Sequence, residues 1–320
     1  MRAVLIGLGP IGIEVGRALI ARGIPVAGAA DPAATLVGGD LALLIPGSPA
    51  GLAVAADATD ACRHGRAGDV AVICTGSRLA AVTSAIDAAL EAGLHVVSTC
   101  EELAHPALRN PQLAARLDDH ARHRGVAILG AGVNPGLVMD RLALAAAWGC
   151  ARVDHIRVDR IVDAAQRRGP LRAKVGAGLT PESFRAGVAD GSLGHVGLGE
   201  SAALLAEGVG IPVGALEETI DAVTDAKSGL VRGLHQVACV LSGGVERIRL
   251  ELTMAIDAAD PHDRIVIAGD PPVDLVVRGG FHGDRATVGA AVSAVLAVAR
   301  LAPGLYRATG TSYGRSATPG

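Results

Sequence analysis

The chain has 320 residues, of which 50% are hydrophobic and 2% aromatic, and its formal net charge is -3 at pH 7. This length allows a large buried core and indicates two domains. The small net charge provides no attraction to nucleic acid or to an anionic membrane, so we expect neither as a partner. The longest apolar stretch near the C-terminus, residues 288–299, is shorter than the roughly 20 residues that span a bilayer. The five cysteines are odd in number and lack metal-ligand spacing, which is typical of free thiols in the cytoplasm, and no metal site is predicted.

A glycine-rich turn follows the first strand pattern. The apolar residues 3–6 precede the sequence Gly-Leu-Gly-Pro-Ile-Gly, and apolar residues at helical spacing follow it. In such a dinucleotide fingerprint the first glycine permits the turn, the second lets the backbone approach a pyrophosphate, and the third lets the helix pack close to the strand. The helix N-terminus then faces the phosphate charge. We therefore predict that cofactor contacts come from Gly7, Gly9, Pro10, Ile11 and Gly12.

Asp31 closes the second predicted strand, residues 25–30. A carboxylate about 20 residues beyond the glycine turn can accept hydrogen bonds from both hydroxyls of the adenine ribose and would repel a 2′-phosphate. The next arginine along the chain is Arg63, so the pattern favours NAD over NADP without excluding NADP. The alternative is that Asp31 and Pro32 only form a turn.

Strand and helix patterns alternate through the first half of the chain and change character after about residue 134. The alternation predicts an α/β fold, with a parallel sheet and helices on both faces, in a Rossmann domain over residues 1–135. The later strand patterns are longer and polar on alternate residues, which indicates a mixed or antiparallel sheet in a second α+β domain over residues 136–286. A final apolar helix within residues 287–303 is expected to pack back on the first domain.

Small or polar residues follow the strand predicted at residues 69–74. Thr75, Gly76 and Ser77 suit a backbone that passes close to the ribose and nicotinamide of a cofactor. Capping of the following helix by Ser77 would produce the same pattern, and both interpretations stay open.

The strand predicted at residues 95–98 ends in the sequence Ser-Thr-Cys-Glu-Glu. Open α/β sheets bind ligands in the crevice at this edge, so Thr99 and Cys100 are candidates for cofactor contact. Glu101 and Glu102 are candidates for proton transfer to a nitrogen or oxygen centre. In the structural alternative, Thr99 caps a helix and Glu102 completes its capping box.

Asn134 and Pro135 follow the last strand of the first domain, within the sequence Gly-Val-Asn-Pro-Gly. The glycines allow close backbone approach, and Asn134 is a candidate for hydrogen bonding to the nicotinamide amide or to the substrate. Alternatively, Asn134 caps a helix in which Pro135 takes the first position.

Two features of the second half are candidates for substrate contact. Lys174 ends a basic segment and opens a glycine-containing loop, and His195 lies among glycines just before a helix. The basic segment is equally explained as a solvated face, and an isolated histidine is more often structural.

These motifs together resemble the NAD(P)-dependent amine dehydrogenases of the 2,4-diaminopentanoate dehydrogenase type, relatives of dihydrodipicolinate reductase. The resemblance covers nearly the whole chain, and its Cys-Glu-Glu and Gly-Val-Asn-Pro-Gly motifs are more specific than the glycine turn. The segments that carry it are residues 7–12, 97–103, 132–136, 174–178, 195–201 and 287–303.

The resemblance implies a Rossmann domain, a second domain with substrate contacts and a homodimer interface, and reversible oxidative deamination of an amine to a ketone plus ammonia. It also implies that a glutamate, Glu101 or Glu102, binds and deprotonates ammonia or the amine. Relatives usually carry an aromatic residue at the position of Leu137, so we expect an aliphatic pocket, near Trp148, and the substrate stays open. A diamino acid would need a cationic partner, for which the candidates are Arg160, Arg167, Arg168 and Arg172.

Two other functions remain as alternatives. The same fold would support reduction of a cyclic imine or enamine, as in dihydrodipicolinate reductase, or binding of NAD without catalysis.

Overall fold

The computed structural model describes residues 1–165 and 174–308 of the chain. The contacts divide the chain into two compact units, Met1–Leu137 with Gly283–Gly320 and Val138–His282. The first unit is therefore built from two segments that are far apart in sequence.

The first unit contains a six-stranded sheet in which every neighbouring pair of strands is parallel. The strands are β1 (Ala3–Ile6), β2 (Val26–Ala30), β3 (Val70–Ile73), β4 (His95–Ser98), β5 (Ala127–Gly130) and β12 (Gly304–Tyr306). Their order in the sheet is β12-β5-β4-β3-β1-β2. Nearly all residues of these strands are buried, because helices cover both faces, and this explains their continuous apolar runs.

The helices of the first unit are α1 (Pro10–Ala21), α2 (Leu41–Leu44), α3 (Ala58–Cys62), α4 (Leu79–Glu91), α5 (Pro106–Arg109), α6 (Pro111–Arg124) and α10 (Gly283–Val298), with a 3₁₀-helix at Glu101–Ala104. Leu19 of α1 and Val295 of α10 belong to the core on one face of the sheet. Ile86 of α4 and Leu117 of α6 belong to the core on the other face. The C-terminal helix α10 thus completes the layer that α1 begins.

The second unit contains a mixed six-stranded sheet, and three helices are assigned within its described residues. The strands are β6 (Arg152–Asp163), β7 (Ala215–Thr224), β8 (Val231–Ser242), β9 (Val245–Ala255), β10 (His262–Asp270) and β11 (Val273–Arg278). The helices are α7 (Arg141–Ala147), α8 (Pro181–Ala189) and α9 (Leu198–Gly208). The strand order is β11-β10-β6-β9-β8-β7, and only β6 and β9 pair in parallel. Residues of β8 alternate between buried and half-buried, because α9 packs on one face of this sheet.

This architecture confirms the predicted fold class, a Rossmann-type parallel sheet followed by a mixed sheet. The prediction missed β7, β8 and β12. The suggestion that Pro135 begins a helix is wrong. The next helix, α7, starts at Arg141, and its N-cap is Asp140, whose carboxylate accepts a hydrogen bond from the Arg141 N–H. Among the described helices, none combines the length and apolar character that a bilayer crossing requires.

Candidate active site

The predicted cofactor residues of the first unit lie along the carboxyl edge of its sheet. Backbone hydrogen bonds continue one residue past each strand end: Gly7 N donates to Ala30 O, Cys74 N to Ile6 O, Thr99 N to Ile73 O and Ala131 N to Ser98 O, at 2.8–3.0 Å. The turns that follow β1, β3, β4 and β5 therefore start side by side. Since β1 lies between β2 and β3, the strand order reverses there, and a crevice opens at such a point in open α/β sheets.

The glycine turn after β1 leaves room for a pyrophosphate. A Cβ added at Gly12 would overlap the carbonyl oxygen of Gly7, so glycine is required there for close packing of the turn and α1. A Cβ added at Gly9 would meet no atom within 4 Å, so this residue faces open space. Pro10 is the first residue of α1, whose N-terminal N–H groups face the same space. The residues present fit a dinucleotide.

Asp31 is held against the glycine turn. Its Oδ2 accepts a hydrogen bond from Leu8 N at 2.7 Å, and its Oδ1 accepts one from Ala33 N at 2.9 Å. The second bond closes an Asx turn, so Asp31 does form the turn that the alternative interpretation predicted. The carboxylate is half-buried and retains acceptor capacity for ribose hydroxyls.

Ser77 does not cap α4, contrary to one expectation. The N-cap position of α4 is Arg78, which makes no capping bond with its side chain. The N–H of Leu79 instead donates to Oε2 of Glu102 at 2.7 Å. Thr75 is exposed, and Ser77 is half-buried with its carbonyl oxygen turned toward the Cys100–Glu102 segment.

Glu101 and Glu102 have different surroundings although they are adjacent in sequence. Glu102 is 5% exposed, and its carboxylate accepts hydrogen bonds from Arg78, Leu79 and Asn110. Glu101 opens the 3₁₀-helix and is partly exposed. The capping-box expectation is wrong, because the N-cap of the 3₁₀-helix is Cys100 without a side-chain bond, and Glu102 caps α4 instead.

The environment of Cys74 and Cys100, the two cysteines at this edge, keeps their thiols protonated. Burial raises the pKa of the Cys100 thiol to about 12, and the carboxylates of Glu101 and Glu102 contribute in the same direction. Burial likewise raises the pKa of Cys74 to about 11. Neither thiol is therefore available as a thiolate near neutral pH.

The turn after β5 is compact and brings Asn134 to the same edge. Asn134 is 7% exposed, and its peptide bond to Pro135 is cis. A Cβ at Gly136 would lie 2.8 Å from Gly132 N, so the turn closes tightly on itself. Leu137, half-buried, is the last residue of this part of the first unit.

In the second unit, Lys174 and His195 lie on neighbouring segments, since Gly194 N donates to Lys174 O at 3.3 Å. The Lys174 side chain is exposed and His195 is half-buried. The buried side chain of Gln236 holds the backbone of His195 on both sides: its Oε1 accepts from His195 N at 2.9 Å, and its Nε2 donates to His195 O at 2.8 Å.

Other candidates of the second unit are less well placed. Trp148 is 81% exposed at the end of α7, which does not put it in a buried apolar pocket of this chain. Arg160 is 3% exposed and forms an ion pair with Asp263, so it is not available to a substrate carboxylate. Arg167, Arg168 and Arg172 lie outside the described residues.

Sequence reasoning did not single out Arg78, Asn110 or Gln236. Arg78 and Asn110 each stand just before a helix, where they look like ordinary boundary residues, and their shared partner Glu102 is distant from Arg78 in sequence. Gln236 lies on β8, a strand that was not predicted. Among the described residues, no group of three or more His, Cys, Asp or Glu is placed to hold a metal ion.

Comparisons with solved structures support the fold. The amine dehydrogenase from Mycobacterium smegmatis superposes with a TM-score of 0.85 at 21% identity, covering 99% of this chain and 97% of that one. A WlbA dehydrogenase from Thermus thermophilus, in complex with NAD and α-ketoglutarate, has a TM-score of 0.58 at 16% identity and covers 97% of this chain and 92% of that one.

Comparisons of sequence identify the family. Residues 137–315, more than half of the chain, match the model of the 2,4-diaminopentanoate dehydrogenase C-terminal domain. The 2,4-diaminopentanoate dehydrogenase of Acetoanaerobium sticklandii is 30% identical over 258 residues, which cover 75% of this chain and 73% of that protein. These matches show that the chain belongs to the 2,4-diaminopentanoate dehydrogenase family of NAD(P)-dependent amine dehydrogenases.

Proposed function

We propose that the chain catalyses the reversible oxidative deamination of a small amine or diamino acid to a ketone and ammonia, with a nicotinamide dinucleotide. The observation that carries the proposal is that Glu101, on the turn after β4, lies at the sheet edge that also carries the glycine turn and Asp31. A carboxylate and a dinucleotide cradle at one edge supply the two functions that the reaction needs, proton transfer and hydride transfer.

In this proposal Glu101 is the proton acceptor, because it is partly exposed at this edge of the sheet, whereas Glu102 is buried. In the direction of amination, Glu101 takes a proton from ammonium and holds the ammonia for attack on the ketone carbon. Protonated Glu101 then gives its proton to the hydroxyl group of the resulting carbinolamine, so that water departs, an iminium group remains and the carboxylate is restored. The nicotinamide ring, when bound, supplies the hydride chemistry. The partial exposure of Glu101 lets it exchange protons with solvent between turnovers.

We propose NAD as the preferred cofactor. The support is Asp31, whose carboxylate is fixed beside the glycine turn by Leu8 N and Ala33 N. A negative charge at this position favours the ribose hydroxyls and repels a 2′-phosphate.

In the first unit we propose Asn134, in the turn after β5, as a substrate contact. In the second unit we propose Lys174 and His195. Lys174 has an exposed ammonium group that suits the carboxylate of a diamino acid.

We further propose a cytoplasmic homodimer. All five cysteines are free, as a reducing compartment requires.

The first experiment is a screen of NAD and NADP reduction over simple amines and diamino acids at alkaline pH. We expect amine-dependent reduction, and in reverse an NADH oxidation that requires both ketone and ammonia. Oxidation of NADH by a cyclic imine without added ammonia would assign the chain to imine reduction instead. Binding of NADH without turnover of any compound would contradict the proposal.

The second experiment replaces the proposed base. Glu101→Gln keeps the size of the side chain and removes its capacity to accept a proton, so kcat should fall by at least about 100-fold. The affinity for NADH, measured by fluorescence titration, should stay unchanged. The matched control is Asp87→Asn, which breaks a surface pair with Arg116 outside this edge. Undiminished turnover of the Glu101 variant would exclude Glu101 as the base.

A further inference from the structure

We propose that Glu102 is a positioning residue for this site, in an inference that rests on the proposed role of Glu101. Its buried carboxylate fastens the turn after β3 to the turn after β4. It thereby fixes both the backbone that borders the cofactor crevice and the adjacent base.

The carboxylate of Glu102 has three donors from two different parts of the unit. Oε1 accepts from Nη1 of Arg78 at 2.9 Å, and Oε2 accepts from the N–H of Leu79 at 2.7 Å. Oε2 also accepts from Nδ2 of Asn110 at 3.3 Å, at the junction of α5 and α6. A single side chain therefore ties the start of α4 to the segment that follows the 3₁₀-helix.

Backbone contacts reinforce this connection. The carbonyl oxygen of Ser77 accepts from the N–H of Glu102 at 3.2 Å and from Sγ of Cys100 at 3.2 Å. Oγ of Ser98 accepts from Cys100 N and donates to Ile73 O, both at 3.1 Å. Both the main chain and the side chain of residue 102 thus contact the turn after β3.

The charge of Glu102 suits its position. It lies at the N-terminus of α4, where a carboxylate is stabilised by the helix dipole and satisfies a backbone N–H that the helix cannot. Hydrogen bonds to a charged group are stronger than neutral ones, and removal of the acceptor leaves the buried Leu79 N–H without a partner.

The peptide bond that joins Glu101 to Glu102 transmits this restraint to the base. With residue 102 held by its N–H and its carboxylate, the Cα of Glu101 cannot drift from the edge of the sheet. Displacement of a reacting group by about 1 Å can lower a rate about 100-fold. Loss of the connection should therefore affect kcat through Glu101, and NADH affinity through the Ser77 turn.

The test compares Glu102→Ala, Glu102→Gln and Glu101→Gln in the full chain, with Asp87→Asn as control. Glu102→Ala removes the whole connection, whereas Glu102→Gln keeps an oxygen acceptor for Leu79 N–H and loses the charge paired with Arg78. We measure the Kd for NADH by fluorescence, kcat and KM for ammonia, and Tm to verify folding.

The expected result is a graded loss. Glu102→Ala should lower kcat about 100-fold, with a smaller change in KM, and raise the Kd for NADH several-fold. Glu102→Gln should recover about tenfold of the loss in kcat and most of the NADH affinity. Glu101→Gln should lose turnover and keep the wild-type Kd. If Glu102→Ala does not fold, the Gln variant alone decides, since a folded Gln variant must still have a kcat about tenfold below that of the wild-type protein.

Two outcomes would overturn the inference. NADH affinity and kcat within twofold of the wild-type values in the folded Glu102 variants would show that the carboxylate positions nothing. A Glu102→Gln variant that is as inactive as Glu101→Gln, with wild-type NADH affinity, would make Glu102 the base. If the wild-type protein turns over no amine, the proposed function is wrong. The Kd for NADH of the Glu102 variants still decides whether Glu102 holds the turn that contains Ser77.

Discussion

At the scale of single residues, the glycine turn at the carboxyl edge of the first sheet depends on which of its positions have room for a Cβ atom. Gly7 has a φ of 92° and packs against the turn after β3, where an added Cβ would lie 2.8 Å from Cγ2 of Thr75. Gly9 and Gly12 belong to the same turn but differ in what surrounds them. The turn therefore contains glycines required by packing, at Gly7 and Gly12, and a glycine with open space around it, at Gly9, where we expect the cofactor.

The substitutions Gly12→Ala and Gly9→Ala should separate these two requirements. Gly12→Ala forces the turn away from α1, so it should cost about 1–3 kcal/mol of unfolding free energy and weaken NADH binding. Gly9→Ala meets no neighbour and should keep the wild-type Tm, but its Cβ would enter the open space where we expect the pyrophosphate, so NADH affinity should fall at least about tenfold. Thermal denaturation and NADH titration provide the measurements. Equal destabilisation by both substitutions would contradict this account.

Asp31→Asn tests cofactor preference at the same scale. Asparagine retains one acceptor oxygen for Leu8 N and loses the bond from Ala33 N, so the stability should fall only slightly, while the repulsion of a 2′-phosphate is lost. The ratio of kcat/KM with NAD to that with NADP should fall by roughly tenfold, equivalent to about 1.4 kcal/mol. An unchanged ratio would indicate that Asp31 serves only the turn.

At the scale of elements, the amino ends of β1 and β3 are joined by Asp69. Its carboxylate accepts from the N–H groups of Arg2 at 2.7 Å and Arg66 at 2.9 Å, and from the guanidinium of Arg2. Burial alone raises the pKa of the Asp69 carboxyl, but these hydrogen bonds outweigh burial and bring the pKa below its ordinary value of 3.8. The ionised carboxylate therefore stabilises the fold.

Asp69→Asn should lower the free energy of unfolding at pH 7 by about 1–3 kcal/mol. A carboxyl with a lower pKa in the folded state contributes fully above its unfolded value and loses that contribution as the pH falls through the folded value. The difference between wild type and variant, followed by urea denaturation, should therefore shrink below about pH 4. Asp274→Asn, at an exposed pair with Arg264, is the control and should change the free energy of unfolding much less, because solvent screens such a pair. A difference that grows with acidity would contradict the assignment.

Elements with regular local patterns were predictable, and contacts across long sequence distances were not. The buried parallel strands read as uninterrupted apolar runs, and β1 and β4 have the predicted bounds. By contrast, β8 contains Gly233 and places the polar Gln236 on its buried face, which interrupts the expected alternation. The capping rules failed at Glu102 for a related reason: its backbone partner Leu79 is 23 residues away, and a capping box considers only three.

The candidate site was predictable to a similar extent. The motifs located the glycine turn, Asp31 and the glutamate pair at strand ends, and parallel strands bring such ends to one edge. Sequence could not distinguish Glu101 from Glu102, because the distinction lies in burial and in the donors supplied by Arg78 and Asn110.

At the scale of the whole molecule, the second unit is an insertion in the first. Residues 138–282 interrupt a unit whose remaining parts share one sheet and two cores. The inserted unit has its own sheet, and a buried ion pair between Arg160 and Asp263 lies within it. Each unit thus has the internal contacts of an independent domain.

Replacement of residues 138–282 by a flexible Gly/Ser linker of about 20 residues should leave a folded first unit that binds NADH. It should have no amine turnover, because the proposed substrate contacts Lys174 and His195 are removed. The matched truncation that ends at residue 137 lacks α10 and β12, and we expect it to be poorly folded. Far-UV circular dichroism and NADH titration distinguish the two. Equal folding of both would show that the C-terminal segment is dispensable.

The pairing of β12 with β5 has a consequence for biosynthesis. On the ribosome, the first five strands of this sheet are made first, and the whole second unit, Val138–His282, must be made before β12 follows. During that interval the free edge of β5 and the apolar side of α1 are open to other chains, a situation that promotes aggregation. We therefore expect productive synthesis of this enzyme in a heterologous host to depend on holdase chaperones, and lower growth temperatures to raise its yield.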